Sequence, residues 1–291
     1  GVDEEGDFLE LGATNLDVEF TQRIRSVMVH AYGEFIVKGT TILDYVKAVE
    51  DESIIITINN GSVVICEENA SLEVAAGPID DFPEFTSLQN QNSIIIDSQI
   101  LYNCLQKAFF ATADQGHGRH GSIDAVCLEF NDNMIIISGT DTQRASIVRL
   151  EADCSANSQY LVSSKSCEAL KSIVEGNIEL CLSDRAISIT SSKSTILMKR
   201  INGDYPDVSS LIPENGYSQE FSMNTKTLLR ALNKVRLATA SQSPIVIGIS
   251  EGVLVLKGYD NSSESKRVEA TLPIEYMGDS TQFSVNCDHM I

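Results

Sequence analysis

FIVKGTTILDYVKAVE (35–50) aligns without a gap against YLVSSKSCEALKSIVE (160–175), and the two copies end in FPEFTSL (82–88) and YPDVSSL (205–211). A spacing of roughly 125 residues is far longer than a solenoid or propeller unit, so it marks duplicated domains. Within the first copy, Ile42, Val46 and Val49 share one face of a helix that follows a short strand, FIV. SIIITINNGSVVIC (53–66) then reads as a hairpin, with Asn60-Gly61 as a type I′ turn signal. In the second copy IELCLSDRAISITSS occupies the same place.

Working outward, a second kind of unit lies between these copies. DSQILYNCLQKAFFATA (97–113) carries the stripe Leu101, Cys104, Leu105, Ala108, and Asp97 or Ser98 can cap it. AVCLEFNDNMIIISGTD (125–141) follows as a hairpin. The same order returns in NTKTLLRALNKVRLATA (224–240) and IVIGISEGVLVLKGYD (245–260), and both helices end in Ala-Thr-Ala. EEGDFLELGATN (4–15) reads as the end of such a unit, and FSVNCDHMI (283–291) as the start of the other kind. The expectation is three domains of two related halves, at 1–89, 90–213 and 214–291. The repeat offsets put about 30–35 residues before Gly1 and about 40 after Ile291, for a whole of about 365. Each half supplies one helix and about four strands. The fold class is therefore α+β, with paired helices on one side and sheets on the other.

Net charge is −20, so nonspecific binding of nucleic acid by the whole surface is excluded, and any such role must be local. Such a place exists. Segment 223–239 holds Lys226, Arg230, Lys234 and Arg236 and no acidic residue. Elsewhere the helices offer Lys165 and Lys171, diluted by Glu168 and Glu175, and Lys107 and Lys47 singly. Read alone, each of these cations also suits the solvated face of an amphipathic helix. Seven scattered cysteines without a C-x-x-C pair point to a reducing, cytoplasmic setting. There is no Gly-rich phosphate loop, G-x-S-x-G or H-E-x-x-H. QGHGRH (115–120) lacks the spacing of a zinc site and reads as a loop. Catalysis, metal and cofactor are not expected.

GTDTQRA (139–145), YPDVSSLIP (205–213) and GATNLDVEF (12–20), with their order and the triple repetition, resemble the bacterial sliding clamp family, the beta subunit of DNA polymerase III. The resemblance runs through essentially the whole chain. It implies the DNA clamp fold, three tandem domains with helices lining the inside and sheets outside. It implies a head-to-tail homodimeric ring around duplex DNA that tethers the replicative polymerase without catalysing a reaction. DNA-facing residues would be Lys107, His117, Arg119, Lys165, Lys171, Lys226, Arg230 and Lys234. Polymerase and clamp-loader subunits would enter by short peptides into a pocket matched here by Ile123, Thr140, Thr142, Gln143, Arg144, Ala145, Pro206, Ser210 and Leu211. The chain departs from the family pattern there: Thr142 stands for a usual Gly, Gln143 for His, Ala145 for Leu and Ser210 for a basic residue. The remaining alternatives are a structural or adhesive repeat protein without a nucleic-acid role, and the two-domain trimeric clamp, which the count of three domains disfavours.

Overall fold

The stripe Leu101, Cys104, Leu105 and Ala108 becomes the buried face of an α-helix, and Asp97 caps that helix by accepting from the Ile100 amide at 2.9 Å. The equivalent stripe in the last part of the chain buries Ala231, Leu232 and Val235 beneath the Asn224 cap. A side-chain oxygen at the cap position satisfies one of the first orphan amides of each helix. The computed structural model describes residues 1–86, 93–113, 123–213, 215–239, 243–260 and 266–291. It divides into two compact units, Gly1–Val208 and Ser209–Ile291.

The first unit runs β1 (Val2–Asp3), β2 (Gly6–Asp7), β3 (Leu9–Thr14), β4 (Val18–Ile24), α1 (Gly39–Ala48), β5 (Ile55–Asn59), β6 (Ser62–Cys66) and β7 (Ser71–Ala75). It continues with β8 (Ser93–Asp97), α2 (Ser98–Phe109), β9 (Ala125–Asn131), β10 (Met134–Thr140), β11 (Ala145–Glu151), β12 (Ser158–Ser163), α3 (Ser164–Ala169), β13 (Asn177–Leu182), β14 (Ala186–Thr190) and β15 (Ser194–Lys199). Its sheets have the orders β5-β6-β7, β11-β10-β9-β12 and β3-β4-β15-β14-β13-β8, all antiparallel. One core joins α2, α3 and the two larger sheets, centred on Leu101, Leu105, Phe130, Ile137, Leu170 and Leu180.

The six-stranded sheet crosses from the first repeat into the second. β4 pairs with β15, with Phe20 opposite Ile196. Glu19 sits on this seam, 6% exposed, and joins three elements. Its carboxylate meets Lys199 of β15 at 3.1 Å and accepts from the Thr86 amide at 2.7 Å and the Thr86 hydroxyl at 2.9 Å. Burial alone pushes the Glu19 carboxyl up. The Thr86 amide, Lys199 and the Thr86 hydroxyl outweigh it and hold the carboxyl below its ordinary value.

The second unit holds α4 (Thr225–Arg236), β16 (Pro244–Ser250), β17 (Val253–Asp260), β18 (Lys266–Pro273) and β19 (Thr281–Asn286), in the sheet order β18-β17-β16-β19. The order β11-β10-β9-β12 repeats in it strand for strand. In both units the helix C-terminus rests on a glycine of the second strand. A Cβ on Gly139 would fall on the Ala108 carbonyl, and one on Gly258 would lie 2.6 Å from the Val235 oxygen and 3.0 Å from Thr239 Cγ2. Only a residue without a side chain lets the helix approach so closely.

Four expectations are corrected. FIV (35–37) forms no strand; it keeps one bridge, Ile36 to Gly77. The helix in the second copy is shorter than its pattern, an α-helix over Ser164–Ala169 and a 3-10 turn over Leu170–Ile173, because the tighter turn finishes the burial of Leu170 and Ile173. The Asn60-Gly61 turn is not type I′, since Gly61 has φ 83° but Asn60 has no positive φ. Asp132-Asn133 does carry positive φ at both positions. The face of α1 that the heptad-like spacing selects is also not enclosed. No α1 residue is buried, and Val46 is 45% exposed, since among the described residues no second helix covers it as α3 covers α2.

Gly139→Ala and Gly258→Ala each lower unfolding free energy by about 1–3 kcal/mol in denaturant titrations. Gly248→Ala, whose nearest neighbour is 4.0 Å away, serves as the near-neutral comparison. The stability that Glu19 contributes is fully present above the unfolded carboxylate pKa of about 4.3 and is lost as pH falls through its lower folded value. Glu19→Gln therefore costs about 1–3 kcal/mol at pH 7 and flattens the acid limb of the stability profile, measured by denaturant unfolding from pH 7 to 3.

Candidate nucleic-acid interface and partner pocket

On α4 the spacing of four places Lys226, Arg230 and Lys234 on neighbouring turns opposite the buried face of Ala231, Leu232 and Val235. All three are exposed, and among the described residues none forms an ion pair. Arg230 and Lys234 border a groove between α4 and β18 with Thr227, Thr271 and Glu269. Glu269 is already paired with Lys257 at 3.5 Å and Arg267 at 3.7 Å, so it does not cancel the helix cations. Arg236, the fourth cation of the segment, is engaged elsewhere, its Nε 2.7 Å from Asp288. The sequence cluster thus resolves into three free cations and one structural one.

In the first unit Lys107 is exposed in the last turn of α2, Lys165 on α3 and Lys171 in the 3-10 turn after it. α2 and α3 pack together, so these lysines stand on adjacent helices. His117 and Arg119 lie outside the described residues.

The pocket residues Thr140, Thr142, Gln143, Arg144 and Ala145 lie on one turn that closes β10 onto β11. Its geometry is set by two side chains. Thr140, 4% exposed, donates its hydroxyl to the Arg144 carbonyl at 2.7 Å and accepts from the Thr142 amide at 3.0 Å. Asp141 accepts from the Gln143 and Arg144 amides, both at 2.9 Å, and from Arg144 Nε at 3.0 Å. The Arg144 guanidinium also lies over the Phe110 ring, 5.6 Å from its centroid. Thr142 and Gln143 are left exposed at the tip, and Thr142 is held at φ 75°. That left-handed conformation suits the glycine of the family pattern and strains a β-branched residue.

Ile123 is buried (6%), its carbonyl accepting from the Ala113 amide after α2. Pro206 is exposed and follows Tyr205, which, like Ile201, packs against the buried cluster Ala125, Cys127 and Leu161. Burial, then the Glu129 carboxylate, push the Cys127 thiol up to about 12, so it is an inert apolar group here. Ser210 and Leu211 belong to the second unit, where both are exposed, Leu211 at 67%. Sequence reasoning missed Asp141, Phe110 and Tyr205 as parts of this region. Asp141 had a visible signal, an Asp two and three residues before the amides it caps. Phe110 and Tyr205 had none, since each acts through a contact distant in sequence. Among the described residues no cluster of His, Cys, Asp and Glu could hold a metal, and no helix is long and apolar enough to cross a membrane.

The family model for the N-terminal domain of the DNA polymerase III beta subunit matches residues 2–86, and that for its central domain matches residues 95–207. The beta sliding clamp of Buchnera aphidicola is 24% identical over 99% of this chain and 79% of that protein. That of Rickettsia felis is 27% identical over 80% of this chain and 63% of that protein. Among solved structures, the DNA polymerase III beta subunit of Thermotoga maritima superposes with a TM-score of 0.90 at 20% identity, covering 99% of this chain and 78% of that one. The Helicobacter pylori beta clamp bound to a DNA ligase peptide gives 0.85 at 19% identity, covering 99% and 79%. Fold and repeat structure define the class of DNA sliding clamps, non-catalytic processivity factors. Within that class, the chain belongs to the DNA polymerase III beta subunit family.

Thr142→Gly relieves the positive-φ strain and raises stability by about 1 kcal/mol, read as a shift of the denaturation midpoint at unchanged slope.

Proposed function

We propose that the chain forms a head-to-tail homodimeric ring that encircles duplex DNA in the cytoplasm and tethers the replicative polymerase. The observation that carries this reading is the row Lys226, Arg230 and Lys234, exposed and without an ion pair among the described residues, on one helix of a chain with net charge −20. A ring that slides needs phosphate attraction that is weak and indifferent to sequence. Flexible lysine and arginine side chains on a helix surface supply it, and an acidic remainder repels DNA from other faces. Lys107, Lys165 and Lys171, with His117 and Arg119, extend the DNA-facing set. The three clamp domains are 1–89, 90–213 and 214–291.

The end strands of two sheets support the assembly. β7 ends the sheet of the first repeat and β18 the sheet of the last, and Leu237, just beyond α4, is 79% exposed. Two copies placed head to tail can join such edges, which removes an aggregation liability while closing the ring. The turn Thr140–Ala145 with Ile123 and Pro206 receives short peptides of the polymerase and clamp loader. Backbone groups of the turn orient the peptide and apolar side chains hold its bulky residues. The Helicobacter pylori clamp, solved with a DNA ligase peptide, supports peptide capture as the mode of partner binding.

The test loads the protein on nicked circular DNA and then linearises it. The ring slides off the ends; retention on linear DNA without a blocking protein contradicts topological binding. Arg230→Glu with Lys234→Glu weakens retention about tenfold near physiological salt, and lowers the log–log salt slope by about two, while the unfolding midpoint is unchanged.

A further inference from the structure

The partner pocket of the first unit has two halves that are far apart in sequence. One is the turn at the end of β10, carrying Thr140 to Ala145. The other is the segment after β15, carrying Pro206. Backbone pairing ties the start of that segment to the outer edge of β12, with the Ile201 amide donating to the Leu161 carbonyl at 2.7 Å. Beyond Ile201, Tyr205 adds a side-chain tie. The Tyr205 hydroxyl donates to the Ser138 carbonyl at 3.2 Å, and the ring covers Ala125, Cys127 and Leu161 on the outer face of β9 and β12. Ser138 stands two residues before Thr140, whose hydroxyl holds the turn through the Arg144 carbonyl.

We infer that Tyr205 is a positioning residue of the partner pocket: its hydroxyl fixes the segment carrying Pro206 to the strand that presents Thr140–Ala145. The role rests on the partner-pocket reading proposed above. Three observations favour it over simple core packing. The hydroxyl reaches the strand that bears the pocket turn rather than solvent. Its target, Ser138, is 1% exposed, so water does not compete for that carbonyl. Pro206, the next residue, cannot hold its own place through an amide, because proline has none. The phenol also stays a donor across the physiological range, since burial, and then the neighbouring Cys127, push its ionisation well above the ordinary tyrosine value.

Tyr205→Phe removes one oxygen and keeps the ring, so the fold is retained. The probe is a fluorescein-labelled extended peptide with Gln and bulky apolar residues, read by anisotropy on the intact chain. Tyr205→Phe weakens binding about three- to tenfold, as loss of one buried hydrogen bond does. Tyr217→Phe, at an exposed phenol of the second unit, leaves it unchanged. Amide exchange over 138–145 speeds up in Tyr205→Phe and stays as in the unchanged chain in Tyr217→Phe. Equal affinity of Tyr205→Phe and the unchanged chain overturns the positioning role, whatever happens to the melting temperature. Absence of binding by the unchanged chain instead overturns the pocket reading, and the positioning role with it.

Discussion

The closest contact that shapes this molecule is a helix end laid on a strand glycine. At Gly139 and again at Gly258 the last turn of a helix meets the sheet through its carbonyl groups, where a methyl group has no room. Everything above that contact follows from it. The helix is pressed to the sheet, so the stripe of Leu101, Leu105 and Ala108, or of Leu232 and Val235, is enclosed rather than half wet. The opposite face then has no choice but to look outward. On α4 that face is basic, so the packing contact that stabilises the unit is also what displays Lys226, Arg230 and Lys234. Stability and the display of these cations share one geometric cause.

The first unit adds a second constraint. Its six-stranded sheet passes from one repeat into the next, and the buried Glu19 carboxylate binds β4, β15 and Thr86 together at the crossing. A carboxylate this far from water is tolerable only when fully partnered, and here a lysine, an amide and a hydroxyl supply the partners. Such a seam suits a protein whose task is to hold shape. A clamp does no chemistry at a reacting centre. In the function proposed for it, a charged surface and a docking turn both need rigid backing more than movable groups.

Much of this was legible in the residues. The helix spacing at 97–113 and 224–240 becomes the buried faces of α2 (Ser98–Phe109) and α4 (Thr225–Arg236), with Asp97 and Asn224 as caps. The turn at 139–145 was legible as a motif, and Asp141 could have been read as its organiser. Other parts were not. FIV looked like a strand because β-branched and aromatic residues favour one, but a strand needs a neighbour and only Ile36 finds one. Arg236 belonged to the basic cluster by composition, yet Asp288, 52 positions later, claims it. Ile42, Val46 and Val49 had the right spacing for a core face and were left outside one.

The sequence by itself determined the repeat, the class of each half and the position of every strong helix, because period and cap chemistry are local properties of neighbouring residues. It also set the basic segment in an acidic chain, because charge is additive and needs no fold to be counted. Only the tertiary structure decided which cations lack an ion pair among the described residues, which apolar faces are covered and which side chains tie distant segments together. Those outcomes depend on partners such as Asp288, α3 and Ser138. Folding brings such partners within a few ångströms across long stretches of chain, and no local pattern encodes that distance.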